Sequence, residues 1–240
     1  MKLQSSFYTL LILLFSAIDS TAQITTIGDI PLPEGYKRTE VATNSFGNYL
    51  RRIQLKKDKT IYLYDGKKKV NQSVQYAVLN VAIGLKDLQQ CADAVMRLRA
   101  EYLRFINLPV CFTDNANKKY CWSQYQHIGW QSYLETVYGM CGTLSLEKQL
   151  KQIKWSDFKA GDVLIKGGSH GHAVIIIDVA VHQKTDEQIF LLAQSYMPVQ
   201  DIHILLNKNN YNLSPWYRIS FDEIIKTPEW TFKTNQIRTW

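Results

Sequence analysis

The chain has 240 residues, a formal net charge of +7 and 46% hydrophobic residues, enough for one sizeable core, so one domain is expected over residues 23–240. The positive charge sits in short clusters at Arg51-Arg52, Lys56-Lys57 and Lys67-Lys68-Lys69. No nucleic-acid-binding motif accompanies them, which argues against a nucleic-acid partner. Such lysine-rich turns read as solvated surface, or as contacts for anionic surfaces such as cell wall or lipid head groups.

The N-terminus follows the order of a secretory signal peptide. Lys2 supplies positive charge, Phe7–Ile18 is apolar, and Ser20-Thr21-Ala22 offers small residues at a cleavage point. The apolar run is short for a bilayer span, so a cut after Ala22 is expected in preference to an uncleaved anchor. No Cys follows the run, and no lipoprotein anchor is indicated. The expected location is periplasmic or secreted, an oxidising compartment in which cysteines can pair. Of the four cysteines, Cys91, Cys111, Cys121 and Cys141, the middle two flank the polar stretch 114–119 and could close it as a disulfide. No Cys/His cluster has zinc spacing, so neither a metal nor a cofactor is expected.

Residues 23–50 carry Pro31, Pro33, Gly35 and Gly47 and read as an extended lead-in with a short helix or strand near its end. Arg51–Leu55 and Thr60–Tyr64 read as short strands, and Gln75–Ile83 as a buried strand stopped by Gly84. After Gly84 the period changes. Leu88, Cys91, Ala92, Val95, Leu98, Tyr102 and Phe105 recur at spacings of three and four, which predicts a strong amphipathic helix with Asp87 as N-cap and Pro109 past its end. Residues 110–126 read as a polar loop, with helix again at about Trp130–Tyr138 and Leu144–Gln152. Strands then dominate: Asp162–Ile165, the β-branched run Ala173–Val181, and Ile189–Gln194 after a turn at 182–188. A last strand is expected near Tyr217–Ser220 and a helical turn at Phe221–Ile225. Helices first and an antiparallel sheet second predict an α+β fold.

Chemistry is placed by where Cys and His fall in this order. Cys91 lies in the first turns of the strongest helix, where free N–H groups and the helix dipole favour a thiolate. His172 opens the apolar strand after the flexible loop Gly167-Gly168-Ser169-His170-Gly171. A thiol activated by an imidazole that a third polar group orients is the general logic of thiol hydrolases. A hairpin register in which opposing residues sum to about 370 pairs even numbers with even. It puts His172 and Gln194 on one face, with Asp178 of the same parity but deeper along the strand. Gln194 is therefore the preferred orienting group.

The segment GDVLIKGGSHGHAVIIIDV (Gly161–Val179) resembles the Gly-Asp, loop, His, apolar-strand block of NlpC-type and CHAP-type papain-like cysteine peptidases and amidases. In those families the nucleophilic Cys precedes this block near the start of a helix, as Cys91 does in DLQQCADAVMRLRAEY. The resemblance spans about Asp87 to Gln194. It implies a papain-like α+β fold with Cys91 as nucleophile, His172 as base and Gln194 as orienting group. The implied substrate is a peptide or amide, with cell-wall peptides the periplasmic candidate. The chain departs from the pattern in having Gln90-Cys91-Ala92 where Asp-Cys-Ser is usual, and Gln194 where His, Asn or Glu is common. Over its whole length, through LQQCADAVMRLRAEYL and LLAQSYMPVQDIHIL, it resembles more closely a set of exported bacterial proteins grouped as a domain of unknown function.

Structural roles stand beside these. Cys91 lies on the apolar face of its helix, as a buried thiol would. His170 is a second candidate base. His127, His182 and His203 have no evident partner and read as surface or turn residues. Trp122, Trp130, Trp155 and Trp216 could line a glycan groove, although packing is the commoner role. A serine mechanism at Ser169 or Ser195 lacks a Gly-x-Ser-x-Gly elbow. The alternative to an enzyme is a non-catalytic module on the same fold that binds cell-wall polymers, glycans or a protein.

Overall fold

A computed structural model describes residues 23–219 and 224–240. The expected signal peptide, residues 1–22, lies outside them. No helix among the described residues is long and apolar enough to cross a membrane. The fold is α+β, as expected.

In chain order the first elements are strand β1 (Tyr36–Arg38), helix α1 (Phe46–Arg51), strand β2 (Gln75–Val78) and helix α2 (Cys91–Phe105). Strands β3 (Cys111–Thr113) and β4 (Lys119–Cys121) follow, then helices α3 (Trp122–Tyr125), α4 (Trp130–Met140) and α5 (Thr143–Gln149). The rest is mainly strand: β5 (Lys151–Gln152), β6 (Val163–Lys166), β7 (His172–His182), β8 (Gln188–Gln194), β9 (His203–Leu205), β10 (Ile224–Lys226), β11 (Thr231–Lys233) and β12 (Ile237–Thr239).

One sheet has the order β2-β9-β8-β7-β6-β12-β5, with β1 added along the far half of β7. Its pairings are antiparallel. Both faces are covered, which is why β7 reads as a continuous apolar run instead of an alternating one. Ala173, Ile175 and Ile177 share a core with Ala94, Val95 and Leu98 of α2. Val174 and Ile176 share the opposite core with Phe158, Phe190 and Phe232. Burying so many branched side chains between layers, each worth about 1.5–3 kcal/mol, makes β7 the spine of the molecule.

Helix α2 forms because residues 91–105 contain neither Gly nor Pro and place Ala, Leu, Met and Val toward the sheet. It starts later than expected. The cap is Gln90, whose backbone N–H donates to the Asp93 carboxylate at 3.0 Å. Asp87 is not the N-cap, because its Oδ1 accepts from the backbone N–H of Val199 at 2.8 Å and so ties the loop to the strap after β8. Cys91 is consequently the first residue of the helix. The helix ends at Phe105, before Asn107 at a positive φ of 56° and four residues ahead of Pro109, which is not needed to stop it.

Several other expectations are corrected. Arg51–Leu55 and Thr60–Tyr64 are not strands. Arg51 ends α1, and the rest contributes isolated bridges such as Leu55 to Leu79 and Leu63 to Gln200. The strand expected over Gln75–Ile83 stops at Val78. The polar loop at 110–126 contains the β3–β4 hairpin, clipped by a disulfide between Cys111 and Cys121. Tyr217 makes a bridge to Phe190 in place of a strand. Ser220 and residues 221–223 lie outside the described residues, and Ile224–Lys226 is a strand, not a helical turn.

The Gly-Asp pair has a packing reason. Gly161 has φ +100°, and a Cβ there would meet the Phe46 ring at 2.5 Å. Asp162 is buried, accepts from Thr239 Oγ1 at 2.7 Å and from Lys159 N–H at 2.8 Å, and so ties the start of β6 to the C-terminal strand.

Candidate functional site

His172 is the first residue of β7 and is 2% exposed. Gly171, just before it, packs so closely that a Cβ would lie 2.5–2.6 Å from the carbonyl oxygens of Gly168 and Lys166. The loop is thereby drawn tight behind the histidine. His170 is exposed at a positive φ of 56°, in the turn. Of the two candidate bases, only His172 meets Gln194.

The imidazole Nε2 of His172 lies 2.9 Å from Gln194 Oε1. An amide oxygen only accepts, so Nε2 carries the proton and Nδ1 keeps its lone pair. The two residues share a face because of a bulge. Next to the turn, partners sum to 369, as in Val179 with Phe190. Past a register shift between Ile176 and Asp178 they sum to 368, as in Ile176 with Leu192. Only the second register pairs even with even, and it holds on the His172 side. The bulge also reverses the alternation beyond it, so Asp178, although even-numbered like His172, lies on the other face. It turns instead to Arg38 Nε at 2.8 Å and Arg51 Nε at 2.6 Å.

Aromatic rings enclose the histidine. The Tyr196, Trp230 and Phe232 ring centroids lie 4.7, 5.2 and 5.9 Å from that of His172. They keep water from the bond to Gln194. The same burial pulls the imidazole pKa from 6.5 down to about 4, against the opposing effect of the Gln194 hydrogen bond. His172 is therefore neutral at neutral pH.

Cys91 is a free, buried cysteine at the first position of α2. The backbone N–H groups of Ala173, the residue after His172, and of Ala92 and Cys91 itself act to lower the pKa of its thiol. Burial outweighs these donors, and the thiol pKa is pushed up, with the buried Asp93 adding to the rise. Among the described residues no hydrogen bond joins the thiol to the His172 ring. The structure thus joins His172 to Gln194 and sets the thiol against the backbone one residue along.

Behind Gln194 stands a set of polar groups. Its Nε2 donates to Glu229 at 2.8 Å, and Lys69 Nζ lies 2.7 Å from the same carboxylate. His203 Nε2 is 3.5 Å from Gln194 Nε2. His203 is thus no surface residue; it is fully buried, with its pKa lowered to about 3 by burial. Lys69 is not a solvated turn lysine, since only 11% of its side chain is exposed. Tyr196 was legible in principle, because it lies two residues beyond Gln194 and strand alternation returns it to the same face. Nothing in the sequence ties Lys69 to Glu229, 160 residues away.

The tryptophans singled out above pack. Trp216 is 1% exposed, Trp122 and Trp130 stack edge-on at 5.2 Å, and Trp155 lies 5.4 Å from Phe190. No group of His, Cys, Asp and Glu side chains suited to a metal occurs among the described residues.

Residues 28–120 and 109–239 match the family described as domain of unknown function (4846). The chain belongs to this family. No curated protein and no solved structure matches it.

Proposed function

We propose that this family member is an exported cysteine hydrolase of amide bonds, with Cys91 as nucleophile, His172 as base and Gln194 as orienting group on a papain-like fold. The observation that carries the reading is the 2.9 Å contact from His172 Nε2 to Gln194 Oε1. It leaves a neutral imidazole with one basic nitrogen, the form a general base requires.

In the first step the Cys91 proton passes to His172 Nδ1 as sulfur bonds to the carbonyl carbon. The carbonyl oxygen takes negative charge, which the N–H groups opening α2 stabilise. The carbon–nitrogen bond then breaks, and the amine leaves with the proton from Nδ1. Water attacks the thioester, giving its proton to Nδ1, and the released sulfur recovers it. At rest both groups are neutral, Cys91 as a thiol and His172 as an imidazole. Cell-wall peptides are the substrate class an exported amidase would meet.

The test is turnover of fluorogenic peptide amides and of cell-wall peptides by wild type and Cys91→Ala, with iodoacetamide labelling of Cys91. Loss of turnover in the variant supports the reading; unchanged turnover ends it. The burial and raised pKa of Cys91 favour a second reading, a binding module in which this thiol is inert. It requires saturable binding to cell-wall material that survives Cys91→Ala.

A further inference from the structure

The groups behind Gln194 take no part in the steps above, yet each has a fixed direction. His203 Nδ1 lies 2.8 Å from the backbone carbonyl of Asp201. A carbonyl only accepts, so Nδ1 holds the proton of this neutral ring and Nε2 is an acceptor. The Glu229 carboxylate, gripped by Lys69, is also an acceptor. Both acceptors face the amide nitrogen of Gln194. Turning that amide over would set its oxygen against a carboxylate and a lone pair and leave buried groups unsatisfied. The oxygen is thereby committed to His172.

We infer that Glu229, clamped by Lys69, and His203 are positioning residues that lock the Gln194 amide and through it hold His172 as the Nε2–H tautomer with Nδ1 free. Its catalytic consequence rests on the hydrolase reading above; the tautomer itself does not. Three elements distant in sequence supply the lock: the turn before β2, the strand β9, and the β10–β11 hairpin whose Trp230 and Phe232 also cover the ring.

The experiment is long-range proton–nitrogen NMR of the histidine side chains at neutral pH, in wild type, in the neutral double variant Lys69→Met/Glu229→Gln and in Glu229→Asp, alongside kcat and KM on a peptide amide. Wild type should show a protonated Nε2 and a bare Nδ1 at His172. The double variant lets the amide present either end, so its His172 should become a mixture of tautomers, with kcat about tenfold lower and KM unchanged. Glu229→Asp should restore the wild-type pattern. A protonated Nδ1 in wild type overturns the inference, as does a double variant whose His172 spectrum matches wild type. If the double variant does not fold, the wild-type spectrum decides. A tautomer shift in a chain without turnover upholds the lock and sinks only the hydrolase reading.

Discussion

The two ends of β7 hold buried polar groups of opposite design. At the far end, Asp178 is fully buried between Arg38 and Arg51, and both arginines make further bonds, to Ile30 O and to Val179 O. Every charge there has an opposite charge beside it, and the cluster staples α1 and β1 to the sheet. At the near end, His172 and Cys91 are buried without a charge partner of their own. Burial drives both toward neutrality, and one ring nitrogen is left unbonded among the described residues. A closed ionic cluster stabilises and has no spare valence. A neutral, directional cluster with an unused lone pair costs solvation and holds a reactive group in one protonation state. The bulge at Ile177 separates the two by turning them to opposite faces.

Three substitutions and one titration sharpen that contrast. On the proposed mechanism Cys91→Ala should have the largest effect, lowering turnover at least about a thousandfold by removing the proposed nucleophile, with little change in the unfolding midpoint. Asp178→Ala should reverse this profile. It strands two guanidiniums and should lower stability by about 3–5 kcal/mol in urea unfolding, while turnover per folded molecule is retained. If it abolished turnover in the folded protein, the division between the two ends would fail.

The titration tests the neutral end. The folded-state pKa of His172 lies near 4, below the 6.5 of the unfolded chain, so the unfolded state binds the proton first as pH falls. Its contribution is fully present above about pH 6.5 and is lost between there and pH 4, amounting to about 3 kcal/mol. Unfolding midpoints measured from pH 7 to pH 4 should fall less steeply in His172→Gln than in wild type. On the proposed mechanism, in which His172 is the neutral base, turnover should persist to about pH 4–5 before declining.

The smallest effect is expected away from both ends. Replacing Cys111 and Cys121 by Ser opens a loop closed over 10 residues. It should cost about 2–3 kcal/mol through the unfolded chain, with kcat unchanged. A fall in kcat would show that the β3–β4 hairpin is coupled to the site.

Local chemistry was enough to read much of this protein from its residues. The change of period after Gly84 marked α2, the β-branched run 173–181 marked β7, and the short polar spacer made the Cys111–Cys121 pairing readable. The α+β order and the partnership of His172 with Gln194 also followed from the sequence, the latter through a register that the bulge makes true at that end alone. The helix start was misplaced because Asp87 finds a tertiary acceptor role at Val199, which no local pattern reveals. What only the folded chain decided is how each polar group is satisfied: Arg51 and Lys69, alike as surface-type cations in the sequence, are half-buried partners of Asp178 and Glu229. Periodicity reports which side of an element faces a core. The partner of a buried charge depends on which distant segments that core brings together, and the energy of pairing it in a dry interior is what holds those segments there.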